Sequence, residues 1–136
     1  MTIFGRTFLI VAALAALTAS PAAAEDATNL EARVGDVFHR SMANWNYDFT
    51  KMDTTRAGVA CIPWDRMDAA YLDQGLFEAL GFSYSVARDD AAVRIATQGC
   101  EQMKAANKLT DCACEVILID DRIEVAVPED AAARLR

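Results

Sequence analysis

The sequence predicts an α+β fold: N-terminal helices packed on a small three-stranded sheet, a β-α-β-β C-terminal half, and disulfide staples. Three observations carry that expectation. An apolar stripe at helical spacing runs from Leu30 to Phe49. Downstream of Gly81, a stretch with a period of two precedes an alanine-rich helical segment and then two β-branched segments. The sequence holds four cysteines, all of them beyond residue 60, in a chain of 136 residues, a size that makes one domain.

The first residues read as a leader. Met1–Ala24 carries one charge, Arg6, then the apolar run Phe8–Leu17 and the small-residue stretch Ala22-Ala23-Ala24. That is the charged, apolar and A-x-A order of a secretory signal peptide. The expected mature chain is therefore Glu25–Arg136, one small α+β domain. The alanine-rich leader is bacterial in character, so the expected destination is the periplasm or the outside. No cysteine follows the cleavage site to take a lipid, and no later window approaches about 18 uninterrupted apolar residues. After cleavage, no membrane association is expected.

Within that chain, Thr28 and Glu31 have capping-box spacing. Leu30, Val34, Val37, Phe38, Ser41, Met42 and Trp45 then recur at steps of three and four, which predicts a helix over Leu30–Asn46. Asn44–Gly58 loses the period and reads as an ordered connection. Ala57–Ile62 is short, apolar and ends at Pro63, which suits an edge strand. Met67, Ala70, Tyr71, Gln74, Phe77 and Leu80 predict a second helix near Trp64–Leu80, stopped by Gly81. Phe82, Tyr84 and Val86 alternate with small residues as in a half-buried strand. Asp89-Asp90 opens a third helix over Asp90–Ala106, where negative charge suits the N-terminus. Cys112–Ile119 and Arg122–Val127 are strands joined at Asp120-Asp121, with Val116, Leu118 and Asp120 on one side of the first and Ile117 and Ile119 on the other. Pro128 ends the second strand, and Glu129–Arg136 is a frayed or helical tail. The crossover from the first of these strands to the next joins parallel neighbours.

Charge narrows the function classes. With 20 acidic against 13 basic residues the net charge is −7, and removing Arg6 with the leader makes it more acidic still. Phosphate backbones repel such a chain, so nucleic acid is not an expected partner. A protein partner remains compatible.

No residue pattern announces catalysis, metal or cofactor binding. Zinc sites use C-x(2–4)-C pairs, whereas Cys112-Ala113-Cys114 has one spacer, and His39 is the only histidine. The acidic pairs Asp89-Asp90, Asp120-Asp121 and Glu129-Asp130 lack the glycine-turned loop of a calcium site. His39 is placed away from the apolar stripe beside Arg40 and reads as a surface residue, with no Ser-His-Asp pattern around it. The aromatics Trp45, Tyr47, Phe49, Trp64 and Tyr71 concentrate in the N-terminal half. They serve either as core or as a partner surface, since interface hot spots favour aromatic side chains. The expected function is a binding or accessory protein that docks on a larger protein. The alternative is a small-molecule binder or modest enzyme with an aromatic-lined pocket.

An even cysteine count behind a leader predicts two disulfides. Cys112 and Cys114, two apart on a strand, point to one face and would close a strained ring if joined. Two connectivities remain, with Cys100 bonded to Cys112 or to Cys114.

The pieces F-S-Y-S-V-A, D-D-A-A-V-R-I-A-T-Q-G-C and C-E-V-I-L-I, within Phe82–Val127, resemble a family of small secreted bacterial domains of uncharacterised function. In that pattern an aromatic strand, an alanine-rich helix ending in cysteine and a cysteine-led β-branched strand follow one another. Similar short periplasmic chains sometimes carry an aminolevulinate-synthase label. That activity does not transfer, because a pyridoxal-phosphate enzyme needs a far larger fold and a Schiff-base lysine in a phosphate pocket. The helix cysteine of the resembled pattern pairs with the cysteine directly before the strand. The resemblance therefore implies Cys100–Cys114, which leaves Cys61–Cys112 as a second bridge that the pattern lacks. The N-terminal helical half has no counterpart in it.

Overall fold

The computed structural model describes residues 21–136, with side chains from residue 29 onward. Most of the expected leader, residues 1–20, lies outside the described residues. The elements in chain order are α1 (Pro21–Asn44), β1 (Ala57–Ile62), α2 (Ala69–Gln74), β2 (Leu80–Ser83), α3 (Asp89–Ala106), β3 (Ala113–Ile119), β4 (Arg122–Ile123) and α4 (Glu129–Leu135), with 3₁₀ turns at Phe49–Lys51 and Trp64–Arg66. Among the described residues, no helix is long and apolar enough to cross a membrane.

The fold class is α+β, with four strands rather than three. Every pairing is antiparallel and the spatial order is β2-β1-β3-β4. The segment expected at an edge is the centre. All six residues of β1 are buried, and it pairs on both sides. Its alanines and glycine make this possible, because both faces must admit a neighbour closely. β2 and β3 run parallel, as the crossover through α3 requires, but β1 lies between them and takes their hydrogen bonds.

The two faces of β1 belong to two cores. Ala57, Val59 and Cys61 point toward α3 and pack with Ala92, Ala96 and Cys100. Ala60 and Ile62 point the other way, into a larger core with Val34, Val37, Phe38 and Met42 of α1, Leu72 of α2 and Ala131 and Leu135 of α4. Burying a side chain such as Phe38 contributes about 1.5–3 kcal/mol. Gly81 has no role as a helix stop. It lies in β2, where an added Cβ would overlap the Ala96 carbonyl oxygen and the Cys100 amide of α3. Gly58 similarly leaves room for the Phe38 ring.

Other boundaries shift for local reasons. Thr28 lies within α1, at a helical rather than a capping position. The expected second helix is only α2, because Asp68 caps it by accepting from the Tyr71 amide at 2.8 Å. Arg40 then donates to the carbonyls of Leu72 and Gly75 and satisfies its C-terminal end. In β3 the strict alternation fails at a bulge opposite Gly58/Val59. Val116 stays on the α3 side, while Ile117 and Leu118 both enter the α1-side core. The Asp120-Asp121 hairpin forms as expected, with Asp120 at φ 53°. β4 covers only Arg122–Ile123 of the expected strand, and the tail is helical as α4.

Both disulfides implied by the resemblance are present. Cys61–Cys112 spans a Cα separation of 5.1 Å and Cys100–Cys114 one of 6.1 Å. Cys61 and Cys114 lie opposite each other in the β1–β3 register, yet each bonds elsewhere. Cys114 reaches up to α3, and Cys61 ties the central strand to the loop before β3. Replacing Cys100 and Cys114 by alanine, across a separation of 14 residues, is expected to cost about 3 kcal/mol in urea unfolding. Replacing Cys61 and Cys112, across 51 residues, is expected to cost about 4 kcal/mol. Equal midpoints for the two double variants and the parent would contradict this. Gly81→Ala is expected to cost about 3 kcal/mol through overpacking, whereas a glycine in open space would tolerate alanine.

Candidate functional site

The chain leaves α1 through a defined turn. The Tyr47 amide donates to the Met42 carbonyl at 3.0 Å and the Asn46 amide to the Ala43 carbonyl at 2.9 Å. With Asn46 at φ 64°, this is the paired hydrogen bonding of a Schellman closure, which needs a left-handed residue that asparagine tolerates. Asp48 then starts the 3₁₀ turn, accepting from the Thr50 amide at 3.1 Å and its hydroxyl at 2.6 Å. The hydroxyl bond is the main reason the Asp48 carboxyl is held below its usual range.

Phe49 anchors this turn. It is 1 % exposed and meets Phe38 edge to face at 5.3 Å. The Arg56 guanidinium lies 5.3 Å above the Phe49 ring centre. Arg56 is itself buried, donating to the Met52 carbonyl at 2.8 Å and to the Asp121 carboxylate at 2.5 Å. Its backbone amide donates to Asp120. The β3–β4 hairpin, the start of β1 and the aromatic turn thus share one ion-pair lock.

The five aromatics grouped by sequence separate in space. Trp45 and Tyr47 are 48 % and 46 % exposed. Phe49 belongs to the core and does not offer a surface. Trp64 packs against the core, and its indole N–H donates to Glu115 at 2.6 Å. Burial raises the Glu115 carboxyl, partly offset by that bond. Tyr71 donates to the Leu76 carbonyl at 2.9 Å and lies beside Phe77. Its hydroxyl is pushed up to about 12, chiefly by burial. Trp64 and Tyr71 therefore brace the fold. Two residues that the sequence placed only on a strand complete the patch instead. Phe82 packs on Tyr47 with the rings tilted by 52° and 4.9 Å between their centres, and Tyr84 is 55 % exposed. The alternation in F-S-Y-S shows that one face of this strand is aromatic, but not that the strand lies at the sheet edge beside Tyr47.

A cleft of about 410 Å³ lies between Trp64 and Cys112, lined also by Asp65, Asp111 and Asp130. Arg66 pairs with Asp111 and Arg134 approaches Asp130. Among the described residues, Trp64 is the only aromatic in its lining.

His39 is half-buried rather than on the surface, 5.9 Å from Phe49 and 6.0 Å from Phe38 between ring centres. Desolvation lowers its pKa, while the charges of Asp36, Asp48 and Asp121 raise it and that of Arg56 lowers it. Among the described residues, no group of His, Cys, Asp and Glu side chains is arranged to hold a metal ion. Comparison with protein-family models, curated proteins and solved structures found no match.

The lowered His39 pKa has a consequence for stability. Between that value and 6.5 the unfolded chain binds more protons, so stability falls as pH drops through that window. Urea midpoints from about pH 7 to about pH 5 are expected to fall more steeply for the parent than for His39→Phe. Parallel curves would show that the histidine does not titrate in this way.

Proposed function

We propose that this chain is a small secreted or periplasmic accessory protein that docks on a larger protein partner through Trp45, Tyr47, Phe82 and Tyr84. The observation that carries the reading is the pinned aromatic turn: two large exposed side chains on a backbone closed by Asn46, capped by Asp48 and anchored by buried Phe49. Exposed aromatics held in place lose little freedom on binding, which favours affinity. The two disulfides and the leader-like Met1–Ala24 support a destination outside the cytoplasm. The resemblance of Phe82–Val127 to small secreted bacterial domains points the same way. The polar cleft beside Trp64 offers less to a small apolar ligand, since such sites are lined mainly by apolar groups.

The test is a Trp45→Ala/Tyr47→Ala double variant, assayed against a stoichiometric partner co-purified with the parent from periplasmic extract. Both side chains are exposed, so the variant is expected to keep its thermal midpoint and lose about 2 kcal/mol or more of binding. Undiminished affinity in the folded variant would refute this site.

A further inference from the structure

We propose that the occupant of this site is an extended, basic peptide segment of the partner that adds to the sheet as a fifth strand along the open edge of β2. This rests on the docking reading and specifies its chemistry.

The phase of the hydrogen bonds defines the edge. The Cys61 amide donates to the Ala79 carbonyl at 2.9 Å, and the register continues through Val59↔Gly81 to Ala57↔Ser83. Ala79, Gly81 and Ser83 therefore turn their backbone polar groups toward β1, while Leu80, Phe82 and Tyr84 turn theirs outward. The sulfur of Met103 takes the Leu80 amide at 3.3 Å. The outward groups of Phe82 and the Tyr84 amide have no partner among the described residues. Beyond them the chain turns back, with the Ser85 amide on the Asp53 carbonyl and the Val86 amide on that of Thr55. The open stretch is thus Phe82–Tyr84.

Edges are ordinarily blunted by charge, proline or very short length. The opposite edge of this sheet follows that rule: β4 has two residues, and its Arg122 pairs with Asp89 and Glu124. The β2 edge is short too, at four residues, but carries neither of the other two devices. Leu80–Ser85 holds neither a charge nor a proline, and its aromatic face continues into Tyr47. A strand at the usual spacing of about 4.8 Å would satisfy the outward groups and lay alternate side chains against these rings.

Charge selects the occupant. The exposed Asp53 carboxylate stands at the end of the open stretch, where among the described residues it accepts only from the Ser85 hydroxyl, at 3.4 Å. The chain as a whole carries −7. A second copy would bring like charge to like, whereas a basic strand meets its complement.

The probe is an acetylated, amidated peptide of about seven residues alternating lysine and valine, with two controls: the same peptide N-methylated at alternate residues, and a glutamate–valine peptide. The lysine–valine peptide is expected to slow amide exchange at Phe82 and Tyr84 at least roughly tenfold, and the controls to leave it unchanged. Tyr84→Pro, which removes an outward donor, is expected to weaken binding at least about tenfold, while Tyr84→Ala, which keeps it, weakens binding less. The proposal is overturned if the peptide does not bind, if it binds without protecting these amides, or if both variants behave alike. Protection that rises with protein concentration in the absence of peptide would assign the edge to a second copy and also overturn it. Retention of the co-purified partner by Tyr84→Pro, together with its loss by Trp45→Ala/Tyr47→Ala, sinks strand addition and leaves docking standing. Retention by the latter variant sinks docking itself.

Discussion

Every element of this protein is attached, directly or through one neighbour, to a strand that has solvent on neither face. β1 must satisfy its backbone on two edges, admit a helix on each side and hold a cysteine, all in six residues. A-G-V-A-C-I meets those demands by being small where backbones approach. Gly58 yields to the Phe38 ring on one face. On the other face, Gly81 of the neighbouring strand lets α3 come down onto the sheet. A larger residue at either glycine would push a helix off the centre of the domain.

The two faces solve the packing problem differently. The α3 side is built from alanines, Val59 and the disulfides, so it is thin and covalently braced. The α1 side is built from Phe38, Phe49, Met42, Leu118 and their neighbours, with α1, β1, α2, β2, β3 and α4 all contributing. The β3 bulge serves that asymmetry by sending Ile117 and Leu118 together into the thicker core. A domain of this size buries a modest share of its surface, and two crosslinks offset part of the conformational entropy that a small core leaves uncovered.

The candidate site inherits its rigidity from that core. Phe49 is the hinge between the two: its ring is buried against Phe38, and Arg56 above it holds Asp121 of the hairpin. His39 lies beside the same two rings, and burial lowers its pKa, so protonating it in acid works against this packing. Trp45 and Tyr47 sit on the solvent side of this arrangement, and Tyr47 lies against Phe82 of β2, whose outward backbone groups have no partner among the described residues.

Short-range patterning made the α+β class, α3, the Asp120-Asp121 hairpin and the even cysteine pairing legible, because helical and alternating periods and turn chemistry act over a few residues. The same patterning overextended the second helix, since the Asp68 cap and the Arg40 contacts that bound it compete with a periodic stripe only once the chain is folded. Strand order was not legible. Ala57–Ile62 reads as an edge because proline follows it, and only its pairing with β2 along one edge and β3 along the other, both distant in sequence, makes it central. The site was half legible for the same reason. Sequence marks Trp45, Tyr47, Phe49, Trp64 and Tyr71 as aromatic, but burial is a property of what lies above each ring. Tertiary packing sent Phe49 inward, used Trp64 and Tyr71 as braces, and brought Phe82 from a distant strand to stand beside Tyr47.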